Sequence, residues 1–357
     1  MPAPLVFDGH NDSLLRLYVD GSQQAIDAFL AGTAPGHIDL AKAKAGNLGG
    51  GLFAIFPPSP RDASILDRMP KGGYQLPLPV PLETAVAEAA TIGMVAILFR
   101  LERGSGGRFR VCRSVADIRA AWDAGAMAAV MHIEGAEAID SDLKMLDVLH
   151  AAGLRSIGMV WSRNNIFAHG VPMRFPSSPD VGDGLTEAGV RLVRRSNELG
   201  ILLDLSHLNE KGFWDVARLS DAPLVATHSN VHAICPVSRN LTDKQLAAIA
   251  ESKGVVGLNF ATAFLREDGS MDADTPIETM ARHLDGLLER LGEDGVALGS
   301  DFDGAVIPAA IGDAAGLPAL FDALEKRGYG RALVEKIAHG NWLGVLERTW
   351  KTPTSAA

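Results

Sequence analysis

The chain has 357 residues, of which 47% are hydrophobic, and its formal net charge at pH 7 is -10. That length and apolar content are enough for a large buried core, either as two ordinary domains or as one α/β barrel. A negative chain without a run of basic residues repels phosphate backbones, which excludes nucleic acid as a partner.

Cysteine usage and hydropathy indicate a soluble protein. Cys112 and Cys235 lie far apart and form no Cys-x-x-Cys pair, so neither a disulfide framework nor a thiolate metal site is predicted. No apolar run is expected to approach the roughly 20 residues that span a bilayer. A secretory leader is not expected either, since a polar cluster begins at His10. We therefore expect a cytoplasmic protein without a membrane partner.

Short apolar runs rich in Val, Ile and Leu alternate with helix-like stretches, which is typical of parallel strands joined by crossovers. Eight such runs predict an α/β fold, a (β/α)8 barrel in a single domain over 1–357, with barrel strands within about 4–302 and C-terminal helices within about 316–350. A doubly wound sheet is the alternative on pattern alone. The predicted strands are 4–9, 50–56, 127–135, 156–162, 200–207, 223–229, 254–260 and 295–302.

Three connections between these elements are long and rich in Pro, Gly and Asp: 57–80, 163–183 and 264–276. Long loops are uncommon in compact domains unless they serve as lids, walls or binding loops. We expect them to shape a binding site.

Polar side chains end five of the predicted strands, in the motifs "HND", "HIEG", "DLSH", "THS" and "SDFDG". In a (β/α)8 barrel the C-terminal ends of the strands converge on one mouth. Residues that are almost three hundred positions apart in the sequence are therefore predicted to meet there.

The side chains at these strand ends predict a pair of metal ions. His10 and Asp12 are two apart on a strand and share one face, so they can bind one ion together. Glu134 has two oxygens and can bridge to a second ion, whose ligands would be completed by His207 and His228. Imidazole and carboxylate without thiolate suit Zn²⁺, with Mn²⁺, Co²⁺ or Fe²⁺ as alternatives.

Asp301 ends the last strand without a histidine in its motif. Beside two ions it is placed to take a proton from an acidified water and pass it to a leaving group, which predicts metal-assisted hydrolysis. Arg239 offers a planar fork for a substrate carboxylate, although an ordinary helix-flanking charge is the alternative. His132 is expected to be a hydrogen-bonded barrel histidine and not a ligand.

The motifs "DGHND", "HIEGAEAI", "GLTEAGVRLVRRSNELGILLDLSH", "ATHSNVHAICPVSRNLTD" and "LGSDFDG" together resemble the membrane (renal-type) dipeptidase family, zinc dipeptidases of the amidohydrolase superfamily, from residue 7 to about 345. The resemblance implies the barrel, two Zn²⁺ per chain and the five ligands named above. It also implies that Asp301 is the proton shuttle and that Arg239 holds the C-terminal carboxylate of a dipeptide. A homodimer is a further implication.

Trp161 departs from the family pattern, because many members carry a substrate-contacting histidine at that strand end. Trp161 and Asn164 are therefore candidate substrate-binding residues, with Arg163 as a second possible substitute for the histidine. We expect a zinc dipeptidase that hydrolyses L-Xaa-L-Xaa and L-Xaa-D-Xaa dipeptides by a metal-bridged hydroxide. The alternatives are hydrolysis of a lactone, cyclic amide or phosphoester, or a metal-binding homologue without turnover.

Overall fold

The computed structural model describes residues 3–59 and 69–350, so part of the predicted loop 57–80 lies outside the described residues. The strands are β1 (Val6–Asn11), β2 (Leu48–Ile55), β3 (Tyr74–Gln75), β4 (Phe109–Val111), β5 (Met127–Glu134), β6 (Leu154–Gly158), β7 (Arg174–Phe175), β8 (Leu202–Asp204), β9 (Val225–Ala226), β10 (Val255–Leu258) and β11 (Val296–Leu298). The helices are α1 (Ser13–Asp20), α2 (Gln23–Ala31), α3 (Leu40–Ala45), α4 (Thr84–Gly104), α5 (Val115–Asp123), α6 (Lys144–Ala152), α7 (Glu187–Leu199), α8 (Glu210–Leu219), α9 (Asp243–Glu251), α10 (Thr262–Leu265), α11 (Ile277–Leu291), α12 (Leu317–Lys326), α13 (Arg331–Glu335) and α14 (Asn341–Thr349).

Eight parallel strands follow one another in chain order around the sheet, as β1-β2-β5-β6-β8-β9-β10-β11. The first and last strands also meet, since the Asp12 amide donates to the Phe302 carbonyl at 2.8 Å and the Asp301 amide to the His10 carbonyl at 3.1 Å. The sheet is thus nearly closed into a barrel, which confirms the predicted fold class. A doubly wound sheet would have reversed its strand order partway along.

The observed strands end earlier than predicted near the mouth. β8 stops at Asp204 and β9 at Ala226, because the polar residues that follow leave the strand ladder to form the rim. β4 was not predicted: it has three residues and pairs with β5 to the side of the barrel path.

Helix boundaries follow local capping chemistry. α7 begins where the Thr186 hydroxyl accepts a hydrogen bond from the Gly189 amide, and it ends at Gly200, whose positive φ of 68° suits glycine. α9 begins with a capping box between Thr242 and Gln245. Each of these two helices is followed directly by a barrel strand, α7 by β8 and α9 by β10.

Part of the barrel interior is filled by Trp342 of α14. The indole of Trp342 is fully buried and donates to the Leu298 carbonyl at 2.9 Å. A Cβ atom at Gly9 would lie 2.3 Å from the Trp342 ring, so only glycine fits at this position of β1.

α4 corrects one expectation. This helix has 21 residues and a mean hydropathy of 1.6, so it is long and apolar enough to cross a membrane by length and composition. The prediction that no apolar segment approaches that length was therefore wrong. Its buried residues, among them Met94, Leu98 and Leu101, lie on the side that packs against α1 and α2. Of its most apolar 18-residue window, 39% is buried, and the core helix of a soluble protein passes the same test of length and composition.

Two of the predicted long loops meet above the mouth. β3, from the first long loop, pairs antiparallel with β7, from the second, and the rings of Tyr74 and Phe175 stack at 6.1 Å. The described loops therefore form a connected wall over the C-terminal end of the barrel.

Candidate metal centre and substrate cleft

The five predicted metal ligands converge at the barrel mouth around Glu134. Its Oε2 lies 3.7 Å from Nε2 of His10, which in turn is 3.5 Å from Oδ2 of Asp12. Its Oε1 lies 3.0 Å from Nε2 of His207 and 3.5 Å from Nε2 of His228. The two oxygens of one carboxylate thus face two separate sets of ligand atoms.

The backbone explains how the ligands reach the mouth. His10 lies on β1 and Asp12 directly follows it, and both are buried. His207 follows β8 with a φ of 67°, a left-handed conformation that is uncommon for a side-chain-bearing residue. Such conformations persist where the surrounding structure enforces them, and they cluster at functional sites.

Two of the imidazoles are oriented from behind by hydroxyl groups. Nδ1 of His207 is 2.9 Å from Ser162 Oγ, and Nδ1 of His228 is 2.7 Å from Thr227 Oγ1. Metal-binding histidines commonly engage their second nitrogen in this way, which sets the ring orientation. Nε2 of His207 lies 3.1 Å from Nε2 of His228, so both face the same point.

The electrostatics of the cluster favour a cation. Burial alone would lower the pKa of His10, but Glu134, Asp12 and Asp301 outweigh it and raise the pKa to about 10. Burial raises the pKa of Glu134 well above its usual range, while burial lowers that of His207 and His228. The neighbouring carboxylates of Glu134, Asp12 and Asp301 are costly to bury together unless a positive charge joins them.

The donor set fits divalent ions. Both ring nitrogens of His10 and Oδ1 of Asp12 are buried without a hydrogen-bond partner. Ligand atoms of His10, Glu134 and His228 lie within 4.8 Å of one another, as do those of His10, Asp12 and Asp301. Histidine and carboxylate in this arrangement are a borderline-hard set that suits Zn²⁺ and related metals.

Asp301 lies beside the ligands at the end of the last strand. Its Oδ2 accepts a hydrogen bond from Nδ2 of Asn259 at 2.9 Å. Burial raises the pKa of this carboxyl, against the opposing influence of His10 and the Asn259 hydrogen bond. A carboxyl whose pKa is raised, next to the predicted ligands, is suited to accepting and releasing a proton.

A cleft of about 140 Å³ opens over Glu134, Asp12, His207 and Asp301. Each of the three long loops contributes one methionine to its lining: Met69, Met173 and Met271. Aromatic side chains complete the apolar wall, namely Phe56, Trp161 and Phe264. The cleft thus places a polar floor beneath an apolar, polarisable wall.

The predicted substrate-binding residues are placed differently from one another. Trp161 lines the cleft, with its ring 5.9 Å from that of His207. Asn164 is not among the described residues that line it, and its Oδ1 accepts from the Gly170 amide. Arg239 is not in the lining either: it is buried behind His228, donates to that residue's carbonyl at 3.1 Å and has an unpartnered Nε. Asp301 and Glu134 are close enough to oppose the lowering of its pKa by burial.

His132 lies beneath the cluster. Its Nδ1 is 2.9 Å from Ser156 Oγ, and burial lowers its pKa to about 3, so the ring is neutral. The bond at Nδ1 agrees with the expectation of a hydrogen-bonded barrel histidine, but Nε2 is buried without a hydrogen-bond partner, 3.7 Å from Oδ2 of Asp204, and ligand atoms of His10, His132 and Asp204 lie within 4.8 Å of one another. That His132 is not a ligand stays a prediction.

Two contributors to the site were not predicted, Asn259 and Thr227, whereas Arg163, which was considered as a substitute for the family histidine, is not among the described residues that line the cleft. Asn259 follows β10 directly, so the rule that identified the other polar strand ends would have found it. Thr227 precedes the predicted ligand His228 within "THS", where its hydroxyl was the available signal.

A larger cleft of about 600 Å³, lined by Leu5, Asn47 and Trp122 among others, has no histidine or acidic residue among the described residues that line it.

Comparisons with known proteins identify the family of the chain. The sequence profile of the membrane dipeptidase family, peptidase family M19, matches residues 1–356. The crystal structure of a metallo peptidase from Rhodobacter sphaeroides, liganded with a phosphinate mimic of the dipeptide L-Ala-D-Ala, superposes with a TM-score of 0.96 at 54% identity, covering 98% of this chain and 100% of that one.

Two further relatives are similar. The structure of the dipeptidase AC, a metallo peptidase of family M19, superposes with a TM-score of 0.95 at 54% identity and covers 99% of this chain and 100% of that one. The dipeptidase tcpJ of Claviceps purpurea (strain 20.1) is 26% identical over 348 residues, which are 95% of this chain and 76% of that protein. The chain therefore belongs to the membrane dipeptidase family, peptidase family M19, and is a metallo-dipeptidase, a hydrolase of peptide bonds.

Proposed function

We propose that this enzyme binds two Zn²⁺ and hydrolyses L-Xaa-L-Xaa and L-Xaa-D-Xaa dipeptides. The observation that supports this most strongly is Glu134, whose two oxygens each face a different set of ligand atoms. His10 and Asp12 would hold one ion, and His207 and His228 the other. When bound, such a pair of ions supplies an acidified bridging water as nucleophile and polarises the scissile carbonyl.

The chain's own residues would perform the remaining tasks. Asp301, held by the Asn259 amide, takes the proton of the attacking water and delivers it to the departing amine. Arg239 lies outside the described lining of the cleft, but its buried guanidinium supplies a positive charge beside the cluster and its Nε has no hydrogen-bond partner, so we assign it to the carboxylate of a dipeptide. The cleft of about 140 Å³ favours a short substrate.

The stereochemical part of the proposal rests on the relative from Rhodobacter sphaeroides, which was crystallised with a mimic of L-Ala-D-Ala. At 54% identity and full coverage, a similar cleft is expected to accept a D-configured C-terminal residue in this enzyme as well.

The test is an assay of zinc-loaded protein against L-Xaa-L-Xaa and L-Xaa-D-Xaa dipeptides, together with a lactone, a cyclic amide and a phosphoester. Asp301→Asn is the control, because the amide keeps the shape of the carboxyl but cannot shuttle the proton. We expect kcat on dipeptides to fall by about 10²–10⁴-fold in this variant. Wild-type turnover no greater than that of Asp301→Asn, or turnover of the other compounds alone, would contradict the proposal. Metal analysis of the same samples should give two zinc ions per chain.

A further inference from the structure

A buried ion pair lies behind the aromatic side of the cleft. Arg163 is fully buried, and its Nε donates to Oε1 of Glu137 at 2.9 Å. Its other two nitrogens reach the segment after β2: Nη1 donates to Ser59 Oγ at 2.8 Å and Nη2 to the Pro57 carbonyl at 3.0 Å. One planar side chain therefore joins the segments that follow β2, β5 and β6.

The same guanidinium contacts the aromatic residues of the wall. Its Cζ lies 5.6 Å from the ring centre of Phe56 and 5.8 Å from that of Trp161. The two rings are 5.0 Å apart and tilted against each other, and both line the cleft. Cation–π contacts of this kind are strongest where water is excluded, as it is at Arg163.

A buried ion pair adds little net stability compared with an apolar pair of similar volume, because both charges lose their hydration. What Arg163 provides is geometry: its fork holds Glu137, Ser59 and Pro57 in one plane, which a lysine cannot do. Trp161 is consequently held beside Phe56, with its ring 5.9 Å from that of His207.

The wall has a definite chemical character. Beyond the acidic residues and histidine of the floor, the described lining contains no charged side chain. Met69, Met173 and Met271 are flexible and polarisable, so they adapt to the shape of an apolar group. An apolar substrate side chain would therefore bind against this wall more favourably than a polar one.

We propose that Arg163 is a positioning residue that sets the substrate preference of this site, by fixing Trp161 and Phe56 as a wall that selects dipeptides with an apolar side chain. This rests on the proposed dipeptidase activity. The wall does not touch the reacting atoms, so its effect falls on binding of the side chain and not on the chemical step.

The first test compares zinc-loaded wild type with zinc-loaded Arg163→Lys on two substrates, a leucine-containing dipeptide and its glycine analogue. Leucine is placed in turn at each of the two positions. We expect wild type to prefer leucine by about 10-fold or more in kcat/KM at one position. In Arg163→Lys that preference should fall by about 10-fold, through KM for the leucine substrate, while kcat for the glycine dipeptide stays within about 3-fold.

Arg195→Lys is the matched control, since Arg195 pairs with Asp147 at 2.7 Å on the surface, away from the cleft. It should retain the wild-type preference. Ser59→Ala removes one of the contacts made by Arg163 without disturbing the ion pair. It should lower the preference by a smaller factor, and it tests the proposal if Arg163→Lys does not fold.

A second readout does not depend on turnover. Acrylamide quenching of Trp161 fluorescence, isolated by subtracting the signal of Trp161→Phe, should rise in Arg163→Lys because the ring is released. Unchanged quenching, equal losses on both substrates, or a wild type without preference for leucine would each overturn the role of Arg163. A wild type that hydrolyses no dipeptide would overturn the proposed function instead, and quenching would still report on Arg163.

Discussion

Thr227 Oγ1 lies 2.7 Å from Nδ1 of His228 and donates its own hydrogen to Oδ2 of Asp204 at 2.6 Å. A hydroxyl has one proton to give, so toward His228 it can only accept. Nδ1 of His228 must therefore carry the ring proton, which leaves Nε2 as a lone pair directed at Glu134 and His207. The carboxylate of Asp204 thus selects, through an intervening threonine, the tautomer of His228 that is able to bind a metal.

Thr227→Val should weaken metal binding at His228. Valine keeps the shape of threonine but leaves Nδ1–H of His228 and Oδ2 of Asp204 without their partner. Loss of such an outer hydrogen bond typically lowers metal affinity by about 10–100-fold. Zinc affinity measured by competition with a chelator checks this, with Thr227→Ser as the matched control that keeps the hydroxyl. Equal affinity in wild type and Thr227→Val would show that the tautomer is set in another way.

Glu134→Gln should prevent the site from binding both metal ions. The amide has no charge and offers only one oxygen acceptor, so it cannot serve both His10 and the histidines on the other side. We expect metal analysis to show fewer than two ions per chain and kcat/KM to fall by about 10³-fold or more, since the acidified water depends on the ions. Asp147→Asn, a surface substitution, should change neither quantity. Full metal content in Glu134→Gln would rule out a bridging role.

Arg239→Lys should weaken recognition of the substrate carboxylate. The lysine keeps the positive charge but not the planar fork, so the loss should appear in KM more than in kcat. The measurement compares kcat/KM for a dipeptide with that for its C-terminal amide, which has no carboxylate. Wild type should prefer the acid, and the variant should lose about 10-fold of that preference. An undiminished preference would place the carboxylate elsewhere in the cleft.

Stability should fall between about pH 6.5 and pH 4 because of His283. In the folded protein its Nδ1 accepts from the Val231 amide and its Nε2 donates to the Leu265 carbonyl, so the ring is held neutral. Burial lowers its pKa from 6.5 to about 4. Below pH 6.5 the unfolded chain takes up a proton that the folded chain refuses, so this contribution is complete above pH 6.5 and is lost as pH falls through 4.

The corresponding measurement is urea unfolding of wild type and His283→Asn as a function of pH. The free-energy difference between them should be largest above pH 6.5 and should shrink by about 3 kcal/mol toward pH 4. A difference that does not vary with pH would mean that His283 titrates normally in the folded state.

The barrel could be predicted because its signals are local. Each strand is a short apolar run, five of the eight predicted strands end in polar side chains, and a barrel brings these ends to one rim, so the residues around Glu134 could be grouped without coordinates. The lengths of β8 and β9 could not be predicted, because the ladder ends where rim residues turn toward the cleft. The position of each end depends on neighbours that come from other strands.

The contacts that Arg163 makes could not be predicted from the sequence for a related reason. Its partners Ser59 and Glu137 are 104 and 26 positions away, and no local period connects them. Arg239 shows the same difficulty: its motif identified a cation near the ligands, but its burial behind His228 depends on how the loop after β9 folds back.

The seam between His10 and Asp301 has a consequence for the biogenesis of the enzyme. The strand that completes the rim beside His10 and Asp12 is translated nearly three hundred codons after them. Until then β1 and β10 are unpaired edges of an open sheet, which are prone to association with other chains. A nascent chain stalled before β11 would therefore lack Asp301 at the rim and would be exposed to aggregation.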